Sequence, residues 1–138
     1  MADSLMFIWI QGIDGLSQDP RHLREIDVES FGFGHQKYTG TFGSTTGKAD
    51  YHDFEFMKRF DRLSAILHQA ATSGKHFSKA ILTVERNLGG RSAGEILRFV
   101  MTDIVVTKVT PNYAKQPTGN DLETIELNFA TISWKYKE

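Results

Sequence analysis

Apolar residues fall at Leu63, Ile66, Leu67, Ala70 and Ala71, the i, i+3, i+4, i+7, i+8 stripe of a helix buried on one side. The stripe predicts one α-helix over about 61–73. Asp61 stands at its N-cap, Gly74 at the C′ position, and Lys75 and His76 beside its negative end. The rest of the chain reads as strand and turn. Leu5 to Gln11 is a first strand, apolar on both faces, turned by Gly12-Ile13-Asp14-Gly15. Ser17 to Glu25 is polar, with a short helical turn at Asp19-Pro20. Further strands are predicted from Ile26 to about Gln36, from Tyr51 to Arg59 with Phe54 and Phe56 inward, and from Phe77 to Arg86 with Ala80, Leu82 and Val84 on one face. Asn87 to Ser92 is a turn. Glu95 to Val109 is one long strand or two short ones broken at Thr102-Asp103. Pro111 to Asp121 is a polar connection, and Leu122 to Tyr136 is the last strand.

Two of these strands violate the period of two. Ile26 and Val28 share one parity, whereas Phe31 and Phe33 have the other; a β-bulge near Glu29-Ser30 reconciles them. Ile125, Leu127 and Phe129 are odd while Ile132, Trp134 and Tyr136 are even, so a bulge or sharp bend is expected near Ala130-Thr131. Bent, bulged strands suit a barrel, whose strands coil to close. Apolar residues on both faces of Leu5–Ile10 and Ile104–Val106 point to surface buried by something besides the chain's own core, with subunit association the natural candidate. Tyr38 to Asp50, rich in Gly, Thr and Ser, has no periodicity and reads as an extended loop of functional length.

The chain has 138 residues, enough for one domain and not comfortably two. No internal repeat or linker divides it. A net charge of −1 supplies no basic field for nucleic acid or an anionic membrane. The absence of cysteine removes disulfides, thiolate metal sites and a cysteine nucleophile together. The N-terminus lacks a basic n-region and an apolar run long enough for a secretory signal. No run approaches the roughly 20 apolar residues of a transmembrane helix.

Candidate chemistry is sparse. Gly47-Lys48 and Gly74-Lys75 fail the phosphate-loop pattern, because Phe42 and Gln69 stand where its first glycine belongs. His22, His35, His52, His68 and His76 form no H-x-x-x-H or H-x-H pair, so they read as surface or hydrogen-bonded histidines, and no metal or cofactor is expected. Asp53 and Glu55 share a strand face, as half-solvated strand carboxylates do. No G-x-S-x-G elbow occurs. The aromatics lack the basic interleaving of a nucleic-acid surface.

Four blocks in order resemble the hemolysin-coregulated protein (Hcp) family, the tube protein of bacterial type VI secretion systems. They are Phe7-Ile8-x-Ile10 with Gly12 and Gly15; Glu25-Ile26-Asp27-Val28 followed by Phe31-Gly32-Phe33; Ser73-Gly74-Lys75-His76 continuing to Ala80-x-Leu82-Thr83; and Leu127-Asn128-Phe129-Ala130 with Trp134 and Tyr136. Family members often carry tryptophan where this chain has Phe31 and Phe33.

The resemblance implies a mainly β fold over residues 1–138 as one tube domain. That fold is a β-barrel similar to phage tail tube proteins, with one helix alongside (about 61–73) and an extended loop (about 38–50). It implies a structural protein, not an enzyme. Six-membered rings stack into a tube that a contractile sheath expels, and effectors ride in the channel. By the family pattern Gly32 faces that channel. Thr39, Gly40, Thr41, Phe42, Gly43, Ser44, Thr45 and Thr46 are expected to reach a neighbouring ring. The implied partners are other copies of the chain, the spike protein, sheath and baseplate components, and effector proteins, with no nucleic acid and no membrane insertion. The implied location is the bacterial cytoplasm before firing and the outside, or a target cell, afterwards, with no cleaved signal peptide. Two alternatives are a phage-type tail tube protein and a monomeric β-barrel ligand-binding module or hydrolase using His52, Asp53 and Glu55.

Overall fold

Burial alternates strictly along Leu122–Phe129, with Glu123, Ile125, Leu127 and Phe129 inside. That alternation organises the architecture seen in a computed structural model, which describes residues 4–33, 52–88, 91–112 and 121–137. The elements run β1 (Ser4–Ile10), β2 (Ile26–Asp27), β3 (Ser30–Phe33), β4 (His52–Arg59), α1 (Leu63–Ser73), β5 (His76–Leu88), β6 (Arg91–Asn112), β7 (Leu122–Phe129) and β8 (Thr131–Tyr136). The strands form one antiparallel sheet in the order β2-β1-β5-β6-β7-β4-β3, and β8 pairs with β6. The fold is mainly β and barrel-like, as the residue pattern implies.

The expected bulge at Glu29-Ser30 is replaced by a change of partner. Ile26 and Asp27 pair with β1, at one end of the sheet, and Ser30 to Phe33 pair with β4, at the other. Between them the Val28 N–H donates to the Met6 carbonyl (3.0 Å) and the Glu29 N–H to the Met57 carbonyl (2.7 Å). Two adjacent peptides thus tie the two ends of the sheet together. Among the described residues no ladder joins β2 to β3, so the sheet meets there at a seam instead of closing as a continuous barrel. The parity flip between Val28 and Phe31 follows, because the inward direction is reset when the chain leaves one ladder and joins another.

The second parity conflict belongs to a sheet-wide bend. Inward residues change parity between Phe77 and Ala80 on β5, between Met101 and Ile104 on β6, and between Phe129 and Ile132 from β7 to β8. The register aligns these breaks: Phe77 faces Ile104, Ala80 faces Met101, and Thr102 faces Thr131. Asp103 takes a positive φ of 55° at the bend, and the Ala130 N–H donates to the Thr102 carbonyl (2.9 Å). β6 is therefore one continuous strand folded over a corner, not two. Its pairing with β5 also runs further than the sequence pattern implies, since Leu88 pairs with Arg91.

The helix begins two residues later than expected. Asp61 still caps it: its Oδ1 accepts from the Leu63 N–H (2.9 Å), and the Ser64 N–H donates to its carbonyl (3.0 Å). Gly74 ends the helix with φ 68°, a left-handed stop that favours glycine, and its N–H returns to the Ala70 carbonyl. Leu63, Leu67 and Ala70 enter the core. Ile66, expected in the stripe, is 52% exposed because the buried face turns toward Ser64 instead. The helix packs chiefly against β6. Phe31, Phe33, Phe54, Phe99 and Phe129 interlock inside the barrel with centroids 5.4–6.4 Å apart, mostly edge-on.

Candidate functional site

The side of the sheet turned away from the core carries a polar row. Gly32 on β3 pairs with Glu55 on β4, Glu55 with Glu126 on β7, and Glu126 with Lys108 on β6. Phe31 and Phe33 point into the aromatic core, so Gly32 between them points out. A β-carbon added at Gly32 meets nothing within 4 Å. The neighbouring row brings Asp53 beside Asn128 and Asn128 beside Val105. Glu55 and Glu126, directly opposed, are like charges in a cross-strand pair, which disfavours folding slightly and is relieved by Lys108 next to them. Asp53 and Glu55 share this face, as the alternation implies. The Thr39–Thr46 segment lies outside the described residues, as does the side chain of His52.

Among the described residues, the strands bearing this row, β3-β4-β7-β6, have no further strand paired along the outer edge of β3 or along part of β6. β3 pairs with β4 alone among the described residues. On β6, pairing with β5 stops at Val105, while pairing with β7 continues to Asn112. Residues 106–112 thus present an edge with no strand partner among the described residues. Such an edge is a template for another chain.

Two clusters that the residue spacing did not single out lie at the barrel's margins. Beneath the helix start, Lys58 and Glu123 are 1% and 0% exposed. The Lys58 ammonium places its three donors on the Arg59 carbonyl (2.8 Å), Asp61 Oδ1 (2.9 Å) and Glu123 Oε2 (2.7 Å). Ser64 Oγ donates to the same Glu123 oxygen (2.5 Å). The alternation carried the signal, since Lys58 shares parity with Phe54 and Phe56, and Glu123 with Ile125.

On the opposite side of β1, His22 is buried against Phe7, their rings stacked with centroids 3.9 Å apart. Its nitrogens meet Glu25 Oε1 (3.0 Å) and Glu85 Oε2 (2.6 Å), and Arg21 reaches Glu85 Oε1 (2.9 Å). Burial disfavours the charged ring, but the hydrogen bonds to Glu85 and Glu25 and their charges outweigh it and hold His22 above the ordinary histidine value. On the second face of β1, Phe7 is covered by the chain's own connection between β1 and β2, while Leu5 and Trp9 are only partly buried. Ile104 and Val106 are core residues on β6 beyond the bend, and Val105 between them is only partly buried. At the seam, desolvation and the neighbouring Asp19, Glu29 and Asp61 charges raise Asp27, against a hydrogen bond from Ser17.

His76 and Asp103 pair across the bend (2.8 Å), and both are well exposed. His68 lies exposed on the helix. Among the described residues no group of three or more His, Asp or Glu side chains is arranged to hold a metal ion. No described helix is long and apolar enough to cross a membrane.

The family described as "Type VI secretion system effector, Hcp" matches residues 7–136. Protein hcp1 of Pseudomonas aeruginosa is 33% identical over 137 residues, spanning 96% of this chain and 82% of that protein. The crystal structure of Hcp1 from Salmonella typhimurium superposes with a TM-score of 0.80 at 30% identity, covering 99% of this chain and 88% of that one. The sheath–tube complex of an extracellular contractile injection system shares the fold, with a TM-score of 0.58 at 10% identity over 96% of this chain and 88% of that one.

Proposed function

The chain belongs to the Hcp family, the structural tube proteins of type VI secretion systems, and from that premise we propose that it closes into six-membered rings which stack into the tube. The observation carrying this reading is the four-strand section β3-β4-β7-β6, polar on its outer face and, among the described residues, without a strand partner at either edge. An open edge of β3 on one copy and the 106–112 edge of β6 on the next are unlike surfaces. Their pairing is therefore heterologous, the kind of contact that repeats around a ring. Each junction extends the sheet and removes two exposed edges at once.

In such a ring the polar row lines the channel. Gly32 contributes only backbone there, flanked by Glu55, so a passenger effector meets shape and the Glu55–Glu126–Lys108 charges instead of a side chain at position 32. Residues 1–138 act as one tube domain in this reading. Thr39–Thr46 reaches the adjoining ring and orders on stacking, at an entropic cost. The partners are the spike, sheath and baseplate components and the effectors inside. The protein resides in the bacterial cytoplasm until the tube is expelled.

The mass of the purified protein by light scattering, followed by negative-stain microscopy, tests the reading. Open rings of six-fold mass are expected. A strict monomer at high concentration would overturn ring formation and leave the shared family and fold standing.

A further inference from the structure

His22 sits where the connection between β1 and β2 folds back on the barrel wall. Glu25 and Glu85 each present an acceptor-only carboxylate to one of its nitrogens, at 3.0 and 2.6 Å. Neutral imidazole has a single N–H, so one nitrogen would point a lone pair at a carboxylate oxygen. Only the imidazolium satisfies both contacts. The ring is also stacked flat on Phe7, 9° from parallel, so it cannot turn away without uncovering that side chain.

We propose that His22 is a proton-operated clasp: as imidazolium it holds the 18–24 loop of this connection on β1 and β5, and loss of its proton as pH rises lifts that loop and uncovers Phe7. Residues 11–17 stay fixed, with Ile13 in the core and the Gln11 N–H donating to the Lys79 carbonyl (3.0 Å), and the loop moves against them. The Gly15 N–H donates to the Arg24 carbonyl (3.0 Å) and the Ser17 N–H to the Glu25 carbonyl (2.9 Å), so the connection's two limbs are bonded to each other. Gly15 packs so closely that an added β-carbon would lie 2.2 Å from the Glu25 carbonyl oxygen. The 18–24 loop is attached to the wall through His22 and Arg21, which both reach Glu85.

Among the described residues, the charged groups around the ring come from three elements. The connection supplies Glu25, Arg21 and Asp19, β5 supplies Glu85, and β6 supplies Glu95 and Arg98 beside a cavity of about 390 Å³. Arg98 is engaged with Glu95 at 3.2 Å. β1 contributes Phe7 and Trp9, neither of which titrates. With His22 neutral, Glu25 and Glu85 remain as facing anions, and Arg21 is a cation bonded to Glu85.

The sign follows from linkage. The closed form keeps its proton to higher pH than the open form, whose histidine is ordinary at about 6.5. The clasp is therefore fully closed below that value. Opening increases by up to about tenfold per pH unit above it, and levels off once the closed form has also lost its proton.

The test uses the full chain. Two-bond proton–nitrogen NMR on histidine-labelled protein reads the His22 protonation state directly, and hydrogen exchange over residues 18–24, corrected for intrinsic rate, reads the opening. A ring that keeps both protons to higher pH than an ordinary histidine, protection that falls with pH in the wild type, and pH-independent protection in His22→Gln are expected. A ring that loses a proton at or below the ordinary histidine value, or one shared pH profile for wild type and His22→Gln, would overturn the clasp. If His22→Gln does not fold, the wild-type NMR titration decides alone.

Discussion

Lys58 Nζ lies 2.7 Å from Glu123 Oε2, and neither side chain reaches solvent. The pair ties β4 to β7 under the first turn of α1, with Asp61 and Ser64 bonded into the same cluster. Lys58→Met leaves the Glu123 carboxylate buried without its cation, its Oε1 already lacking a hydrogen-bond partner among the described residues. The expected loss is about 3–5 kcal/mol in denaturant unfolding. Lys58→Met combined with Glu123→Leu removes both charges and is expected to recover most of that loss. Equal destabilisation by the single and double variants would show that the pair is not the source.

Asp27 gives the opposite sign. Its carboxyl is raised by desolvation and by Asp19, Glu29 and Asp61, so the folded state binds the proton more tightly than the unfolded state does. Stability then decreases as pH rises from the ordinary aspartate value to the raised one, and the cost persists at neutral pH. Asp27→Asn is expected to raise the melting temperature at pH 7, with the gain vanishing in acid below the ordinary aspartate range. Loss of stability at pH 7 would mean that the Ser17 hydrogen bond outweighs the charge crowding.

Asp103 holds φ 55° on the corner shared by β5, β6 and the β7–β8 break. Aspartate tolerates this region, and a β-branched residue does not. Asp103→Val is expected to cost roughly 1–2 kcal/mol, whereas Asp103→Gly keeps the backbone and loses only the exposed contact to His76. Urea titrations of the two variants separate backbone strain from the ion pair. Equal losses would assign the effect to His76.

Much of this fold was legible because local pattern and burial agree. The Gly74 stop, the inward Phe54 and Phe56, and the single helix were readable from spacing alone. The parity conflicts at Val28/Phe31 and Phe129/Ile132 were readable as irregularities. Their causes were not, because a change of ladder and a bend shared by three strands are set by partners distant in sequence. The same distance hid His22, whose partner Glu85 comes from a strand with no local signal of it. Lys58 and Glu123 were hidden differently. Their alternation placed them inside, but charge suggests the surface unless the partner across the sheet is known.

Gly32 tests the channel reading most directly, because structure and function separate there. A side chain at that position enters open space, and β3 keeps its pairing to β4 whatever residue stands there. Gly32→Gln is therefore expected to leave melting temperature and ring mass close to wild type, apart from the small gain that replacing a strand glycine brings. In six copies it would narrow the channel and set an amide beside each Glu55. Co-purification of effectors with the ring is expected to fall at least about tenfold, equivalent to roughly 1.4 kcal/mol. Undiminished effector capture by intact Gly32→Gln rings would place the passenger's contacts elsewhere along the Glu55–Glu126–Lys108 row. Rings that fail to form would instead put Gly32 at a subunit junction.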